Sequence, residues 1–178
     1  MNAMIMTLIV IALVAMGVLA LAATKSDEFH LQRSIVIDAS PERIFPLIND
    51  LRAHESWSPF DKPDPDTRKT HAGAMQGAGA VYEWNGKGQA GSGRLSILES
   101  GPSLIGMRLE MLKPFKTSNL VTFTLLSAGE ATNLTWSMQG PMPYPAKVMH
   151  TLFNMDRMVG KQFEAGLTKL KTIVESHR

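Results

Sequence analysis

The strongest constraint in this sequence is a long helical pattern near its C-terminus. Between Ala146 and Glu175, apolar residues recur at steps of three or four, and this spacing lines one face of an α-helix. The residues on this stripe are Val148, Leu152, Met155, Val159, Phe163, Leu167, Leu170 and Val174. The pattern predicts one uninterrupted helix of about eight turns. Pro143 and Pro145 mark where it begins, and a stripe of this length needs a broad apolar partner.

The predicted partner is a curved antiparallel sheet formed by the segment between Thr67 and Gly140. Extended runs separated by glycine- or proline-containing turns are typical of hairpins, and they predict strands over residues 68–72, 78–85, 88–99, 103–112, 119–127 and 131–140. Strong bending of the sheet is favoured by a set of glycines, Gly73, Gly77, Gly79, Gly91 and Gly93.

Alternation along these strands predicts one apolar and one polar face. The inner face is expected to carry Tyr82, Trp84, Leu95, Ile97, Met107, Leu109, Met111, Phe123, Leu125, Leu134, Trp136 and Met138. The outer face is expected to carry Glu83, Arg94, Ser96, Arg108, Glu110, Asn133 and Ser137, with the arginines paired to the glutamates.

The segment before the sheet predicts one more strand and two short helices. The strand covers residues 29–39, and a helix starts at residues 40–42, where serine suits the N-cap and proline the first helical position. A second short turn follows, and residues 54–66 are too proline-rich for regular structure. Trp57 and Phe60 in this loop either plug the edge of the core or form the mouth of a pocket.

The N-terminus predicts a single-pass membrane anchor. Residues Met4 to Ala23 carry no charge, and about 20 helical residues span the hydrocarbon core of a bilayer. A signal peptide is the alternative, but the segment lacks a basic start and is longer than the usual apolar core of such peptides. The predicted organisation is an anchor over 1–24, a tether over 25–29 and one domain over 30–178. The side of the membrane stays open, because few charges flank the segment.

Composition excludes several classes of function. A net charge of +2 is too small for a nucleic-acid-binding surface, and the absence of cysteine excludes disulfides and thiolate metal sites. His54, His71 and His150 are expected to be surface or capping residues, since they have neither neighbouring carboxylates nor the spacing of metal ligands. The sequence therefore predicts no metal and no cofactor, and it identifies no catalytic residue.

Several stretches resemble signatures of the START-like superfamily, also called SRPBCC, in its polyketide cyclase/dehydrase and lipid transport branch. The matching stretches are residues 34–45, 49–60, 77–84, 91–94, 135–140 and 166–171. The resemblance implies an α+β helix-grip fold, in which a curved antiparallel sheet of about seven strands wraps a long C-terminal helix around a hydrophobic cavity. Two short helices follow the first strand in this fold.

The resemblance and the apolar inner face together lead to one main functional hypothesis, the binding of a hydrophobic small molecule or lipid between sheet and helix. The residues expected to line this pocket are Trp57, Tyr82, Trp84, Met107, Leu109, Phe123, Trp136, Met138, Phe153 and Val159. One alternative is a cyclase or dehydratase acting on a polyketide-like or aromatic substrate. Another is a structural module that docks a membrane partner. The oligomeric state is left open.

Overall fold

A computed structural model describes residues 2–61, 66–86, 91–113 and 116–176. The elements in chain order are α1 (Asn2–Ala23), β1 (Glu28–Ile37), α2 (Pro41–Asn49), α3 (His54–Trp57), β2 (Arg68–Gly73), β3 (Ala80–Asn85), β4 (Ser92–Gly101), β5 (Leu104–Lys113), β6 (Thr117–Ala128), β7 (Ala131–Pro141), α4 (Tyr144–Leu152) and α5 (Met155–Ser176). This order of elements confirms the predicted helix-grip fold.

The strands form one antiparallel seven-stranded sheet in the order β1-β7-β6-β5-β4-β3-β2. Each predicted strand is present within a few residues of its predicted bounds. For the strand predicted over residues 88–99, which is β4, the first three residues, 88–90, lie outside the described residues. The prolines at 63 and 65 in the predicted loop also lie outside the described residues. Because the sheet is antiparallel, the start of β1 and the end of β7 meet at the same end, which we call the mouth end.

The predicted C-terminal helix is two helices, so the expectation of one uninterrupted helix is wrong. Phe153 is extended, with φ −124° and ψ 136°, and closes α4 by donating its N–H to the Met149 carbonyl. Asn154 Oδ1 then accepts a hydrogen bond of 2.9 Å from the Arg157 N–H, as the N-cap of a new helix does. The apolar spacing runs through this break without interruption, and it therefore conceals the cap.

The core fills the end of the sheet opposite the mouth end. Residues predicted for the inner face of β4 to β7 are buried there, namely Ile97, Met107, Phe123, Leu125 and Leu134. They are joined by Ile105 of β5, by Phe163 and Leu170 of α5, and by Ile44 of α2. On the outer face, Arg94 Nε lies 2.9 Å from Glu83 Oε1, which confirms one predicted pair. The alternation of buried and exposed residues thus follows the predicted faces.

Helix α1 stands apart from this core and contacts α4. Its side chains from Met4 to Val14 are largely exposed, and residues Ala3–Ala23 are long and apolar enough to cross a membrane, a property that signal sequences share. The last turns of α1 meet the domain, where Ala22 is fully buried and the Tyr144 hydroxyl donates to the Leu19 carbonyl at 2.9 Å.

Candidate functional site

The inner face of the sheet is covered at one end and partly uncovered at the mouth end. We call the uncovered part the open cleft and define it by Trp84, Leu95, Leu109, Met111, Met138 and Val159. The first five lie toward the mouth end of β3, β4, β5 and β7, and Val159 comes from the first half of α5. All six side chains are apolar and only partly buried. Partly buried apolar and aromatic side chains of this kind are the usual lining of a small-molecule site.

Strand register fixes the side chains of the open cleft against one another. Leu95 pairs with Tyr82 on one side and Leu109 on the other, so these three form a row across β3, β4 and β5. Met138 pairs with Leu31 of β1 and with Val121 of β6. Paired residues project to the same face of a sheet, so the row is apolar from β3 to β5, and Asn119 of β6, which pairs with Leu109, ends it.

Gly93 lets the Trp84 ring lie flat on the neighbouring strand. Trp84 and Gly93 are paired across β3 and β4, and a Cβ at position 93 would overlap the ring. Trp84 stacks on Tyr82 at a centroid distance of 5.7 Å, and Tyr82 stacks on His71 at 5.0 Å. These three rings form an aromatic wall along one side of the open cleft.

The floor of the open cleft is an aromatic cluster between sheet and helix. Trp136 of β7 stacks on Phe163 of α5 with centroids 4.1 Å apart and planes only 7° apart. Trp57 packs edge-on against Trp136, with ring centroids 5.6 Å apart, and its Nε1 donates to the Leu47 carbonyl at 2.9 Å. Trp57 is therefore a plug of the core, one of the two roles expected for the proline-rich loop.

Phe60 takes the other role. Its ring contacts both Trp136 and Phe163 edge-on, at 6.0 and 6.2 Å, yet 59% of its surface is exposed. A large apolar side chain that covers the aromatic floor while facing solvent lies at the rim of the site. The prediction of a loop without regular structure is wrong for the first four of its residues, which form the short helix α3. This helix places Trp57 in the core, and Phe60, three residues later, stays outside.

A polar cluster adjoins the aromatic wall. The Tyr82 hydroxyl donates to Asp61 Oδ1 at 2.8 Å, and Lys69 Nζ lies 2.6 Å from the same oxygen and 2.9 Å from Glu55 Oε1. Asp61 is buried, and its Oδ2 has no hydrogen-bond partner among the described residues. A buried carboxylate oxygen without a donor is costly, which makes Asp61 the least satisfied acceptor beside the aromatic wall among the described residues.

The surroundings of Tyr82 and Lys69 raise the pKa of both groups. Burial, followed by the hydrogen bond to Asp61, raises the pKa of Tyr82 well above its usual range, so the phenol stays protonated and donates. Burial lowers the pKa of Lys69, but its hydrogen bonds to Asp61 and Glu55 outweigh this effect and leave that pKa above its ordinary value. The lysine therefore stays charged between its two carboxylates.

The three histidines do not act together. His54 was expected at the surface or as a cap, and it is a buried cap: Nε2 donates to the Ile48 carbonyl near the end of α2 at 2.8 Å, and the ring packs on Trp57. Burial lowers its pKa. His150 lies on α4, far along the chain from the other two. In the described part of the chain, no three His, Asp or Glu side chains lie close enough together to hold a metal ion.

The ten predicted pocket residues fall into three groups. Trp84, Leu109, Met138 and Val159 lie in the open cleft; Tyr82, Trp136, Trp57, Phe123 and Met107 lie in its wall, in its floor or in the closed core behind it; Phe153 is half exposed at the break between α4 and α5. The structure thus brings together residues from β3, β5, β7 and α5, and it leaves Phe153 at the surface.

Sequence reasoning missed the polar residues on the inner side of the sheet. Asn119 is 9% exposed, lies against Gly140, and its Oδ1 has no partner among the described residues. Arg33 also faces inward and pairs with Glu164 of α5 at 2.8 Å. Alternation from Val121 and from Leu31 could have located both, since each lies two residues from an inward apolar residue. Asp61 carries no such signal, because it follows an irregular loop.

Two surface depressions lie outside the open cleft. One, of about 310 Å³, is at the mouth-end edge of β5, β6 and β7 and is lined mainly by polar side chains such as Arg108 and Gln139. The other, of about 290 Å³, lies between α2 and the turn joining β4 to β5. Neither contains the aromatic wall or the polar cluster, so we place the site in the open cleft.

Comparison with known proteins agrees with this architecture. The profile of the family described as polyketide cyclase / dehydrase and lipid transport matches residues 28–175, which is most of the chain. No curated protein matches the chain by sequence.

Several solved structures share the fold at low sequence identity. Zhui aromatase/cyclase from Streptomyces sp. R1128 is 13% identical, with a TM-score of 0.59 over 83% of this chain and 94% of that chain. Protein MLL2253 from Mesorhizobium loti is 16% identical, with a TM-score of 0.61 over 84% and 99%. DynU16, from the dynemicin biosynthetic locus, is 15% identical, with a TM-score of 0.58 over 86% of this chain and 49% of that chain. At such identities the likeness establishes the fold alone.

Proposed function

This chain belongs to the polyketide cyclase / dehydrase and lipid transport family, and on that premise we propose that its open cleft binds a hydrophobic small molecule or lipid. The observation that carries the proposal is the set of partly exposed apolar side chains at the mouth end of the inner face. Trp84, Leu109 and Met138 remain partly exposed where an ordinary core would cover them. A ligand would gain roughly 25 cal/mol for each Å² of apolar surface removed from water.

The polar cluster adds one requirement on the ligand. Asp61 Oδ2 can accept a hydrogen bond, and Tyr82, which orients the same carboxylate, is part of the cleft wall. The ligand class that fits is an apolar body with one hydroxyl or N–H group directed at Asp61. Most of the affinity then comes from apolar burial, and the donor fixes the orientation of the ligand.

Catalysis by cyclisation or dehydration is the second candidate, favoured by the ionisable groups beside the cleft. Such a reaction needs a side chain free to exchange a proton with the substrate. Tyr82 donates to Asp61, and Lys69 is shared by Asp61 and Glu55, so both groups are already bonded to protein carboxylates. Binding without conversion therefore fits the geometry better.

In this proposal α1 holds the domain at a membrane.

Two neighbouring residues of β7 provide the test. Met138 faces the open cleft, whereas Ser137 faces the other side of the sheet, where its hydroxyl donates to the Thr122 carbonyl at 3.3 Å. Met138→Asp introduces a charge into an apolar site and should abolish binding of an apolar dye such as Nile red. Ser137→Asp should leave binding within about twofold of the wild type, since its side chain is on the face of the sheet opposite the cleft and is partly exposed to water.

Dye emission would be measured with the full chain in lipid nanodiscs of equal lipid content, after a check that each variant keeps its cooperative unfolding transition. The equal lipid background cancels dye dissolved in the bilayer. Retained binding in Met138→Asp, or loss in Ser137→Asp alone, would refute the assignment of the ligand to this cleft.

A further inference from the structure

Helix α4 has its apolar side turned outward. At 100° per residue, Tyr144, Pro145, Val148, Met149 and Leu152 fall within about 140° of its circumference. Within this arc Tyr144 is 45% exposed, Met149 47% and Leu152 56%. A helix on the surface of a water-soluble domain shows the opposite arrangement, with its apolar stripe toward the core.

The polar side of α4 is the side held by the domain. Lys147 is only 7% exposed, and its Nζ lies 2.6 Å from Asp27 Oδ1. The backbone carbonyl of Asp27 also accepts from the Met142 N–H at 2.6 Å, just before the helix begins. These bonds fix the rotation of α4 and keep its apolar arc outside.

The apolar arc continues beyond α4. Phe153, at the break, is 51% exposed, and Met158 in the first turn of α5 is 57% exposed. Together with the arc they form a surface that we call the apolar shelf, defined by Tyr144, Val148, Met149, Leu152, Phe153 and Met158. Scattered exposed apolar residues are normal, but a group of large ones on consecutive turns marks an interaction surface.

The position of the shelf identifies its partner. Tyr144 donates to the carbonyl of Leu19, which lies in the last turns of the apolar helix α1. The shelf is therefore beside the end of a helix long enough to span a bilayer. Tyrosine and large apolar side chains next to the end of a span are typical of the interfacial zone of a membrane.

We propose that the apolar shelf lies in the surface of the lipid bilayer and holds the mouth end of the domain against that surface. The start of β1, the end of β7, α4 and the open side of the cleft all belong to this end. Apolar ligand can then pass between the bilayer and the open cleft without crossing water. This last consequence depends on the proposed function, but the docking of the shelf does not.

The chain contains no cysteine, so single labels can be placed without background. Met149→Cys and Leu152→Cys would each carry the fluorophore NBD, in the full chain reconstituted in phosphatidylcholine and phosphatidylglycerol vesicles. Glu130→Cys is the matched control, because Glu130 is exposed in the hairpin between β6 and β7, at the end opposite the mouth end.

We expect blue-shifted emission from labels at 149 and 152, quenching by lipids spin-labelled high on the acyl chain, and protection from iodide in the water. The label at 130 should show the reverse. Equal iodide quenching at all three positions would overturn the proposal, and so would labels at 149 and 152 shielded from both quenchers, since a protein would then cover the shelf. Lipid quenching at the shelf combined with unchanged dye binding in Met138→Asp would uphold the docking and refute the cleft.

Discussion

Asp61 is the residue whose chemistry says most about the ligand. Its Oδ1 accepts a hydrogen bond from Tyr82 and forms an ion pair with Lys69, whereas its Oδ2 is buried and has no donor in the described part of the structure. A hydrogen bond to a charged acceptor contributes about 1.5–3 kcal/mol. A long-chain alcohol should therefore compete for the cleft better than the alkane of equal length, by about tenfold or more.

Asp61→Asn tests this preference. The amide keeps an oxygen for Tyr82 and replaces the free acceptor with a neutral amide group, so the advantage of the alcohol should become smaller, because the stronger hydrogen bond to a charged acceptor is lost. The ratio of the two competition constants is the quantity to measure, because any general loss of affinity cancels from it. An unchanged ratio in the variant would show that Asp61 does not contact the ligand.

His54 gives the fold a dependence on pH. Burial lowers its pKa below the ordinary 6.5, so the unfolded chain binds more protons as the pH falls below that value. The contribution of neutral His54 is thus complete above pH 6.5 and is lost as the pH falls toward the folded pKa.

Urea unfolding between pH 7 and 5 should show falling stability in the wild type. His54→Gln keeps a donor for the Ile48 carbonyl but cannot titrate, and it should flatten the profile. His30→Gln, at an exposed position, should keep the wild-type slope. A steep profile in His54→Gln would mean that other groups cause the pH dependence.

Helix α5 depends on two glycines for its close approach to the sheet. A Cβ on Gly166 would meet both Pro59 Cδ and Trp136 Cζ3 at 2.9 Å, and neither group can move easily. Gly160 differs, because a Cβ there would meet the end of the Arg33 side chain, which is flexible. In each case alanine brings a gain of up to about 1 kcal/mol in helix propensity.

Gly166→Ala should therefore be destabilising by about 1–3 kcal/mol despite this gain, as expected for overpacking. Gly160→Ala should cost less, since the ion pair of Arg33 with Glu164 can rearrange at the surface. Free energies of unfolding in urea give both values. If Gly166→Ala were as stable as the wild type, the stack of Trp136 on Phe163 would be looser than described.

The strands of the sheet were predictable from the sequence, whereas the break in the C-terminal helix was not. Alternation and hairpin glycines predicted six strands of the sheet and placed Phe123, Leu134 and Trp136 on the buried face, because period-two burial leaves a direct trace in the residue order. The break between α4 and α5 left no such trace. Leu152 and Met155 keep the helical spacing across it, and only the three-dimensional structure shows Asn154 as a cap.

The polar contacts of the site were beyond prediction for a related reason. Asp61, Tyr82 and Lys69 meet across separate elements, and their spacing along the chain carries no periodicity. The apolar residues of the open cleft were predicted in part, since alternation identifies the face. Alternation gives no information on how much of that face the helix covers. It therefore could not distinguish Met138, in the cleft, from Phe123, in the core.

The whole molecule has a closed end and an open end. Ile97, Ile105 and Leu125 fill the closed end beneath α5, and the open end gathers the cleft, the apolar shelf and the last turns of α1. An apolar site beside a helix long enough to span a membrane accounts for why both features occur in one chain. The fold and a helix long enough to span a membrane both followed from the sequence, but the sheet register was needed to show that the cleft and this helix lie at the same end.

Native mass spectrometry of the full chain, released from nanodiscs after incubation with a mixture of lipids and hydrophobic aromatic molecules, tests the central claim most directly. The account predicts a protein ion that carries one hydrophobic molecule, in the wild type and in Ser137→Asp, and a bare ion in Met138→Asp. A wild-type chain that emerges bare, or a molecule retained equally by Met138→Asp, would contradict the claim that the open cleft is a binding site.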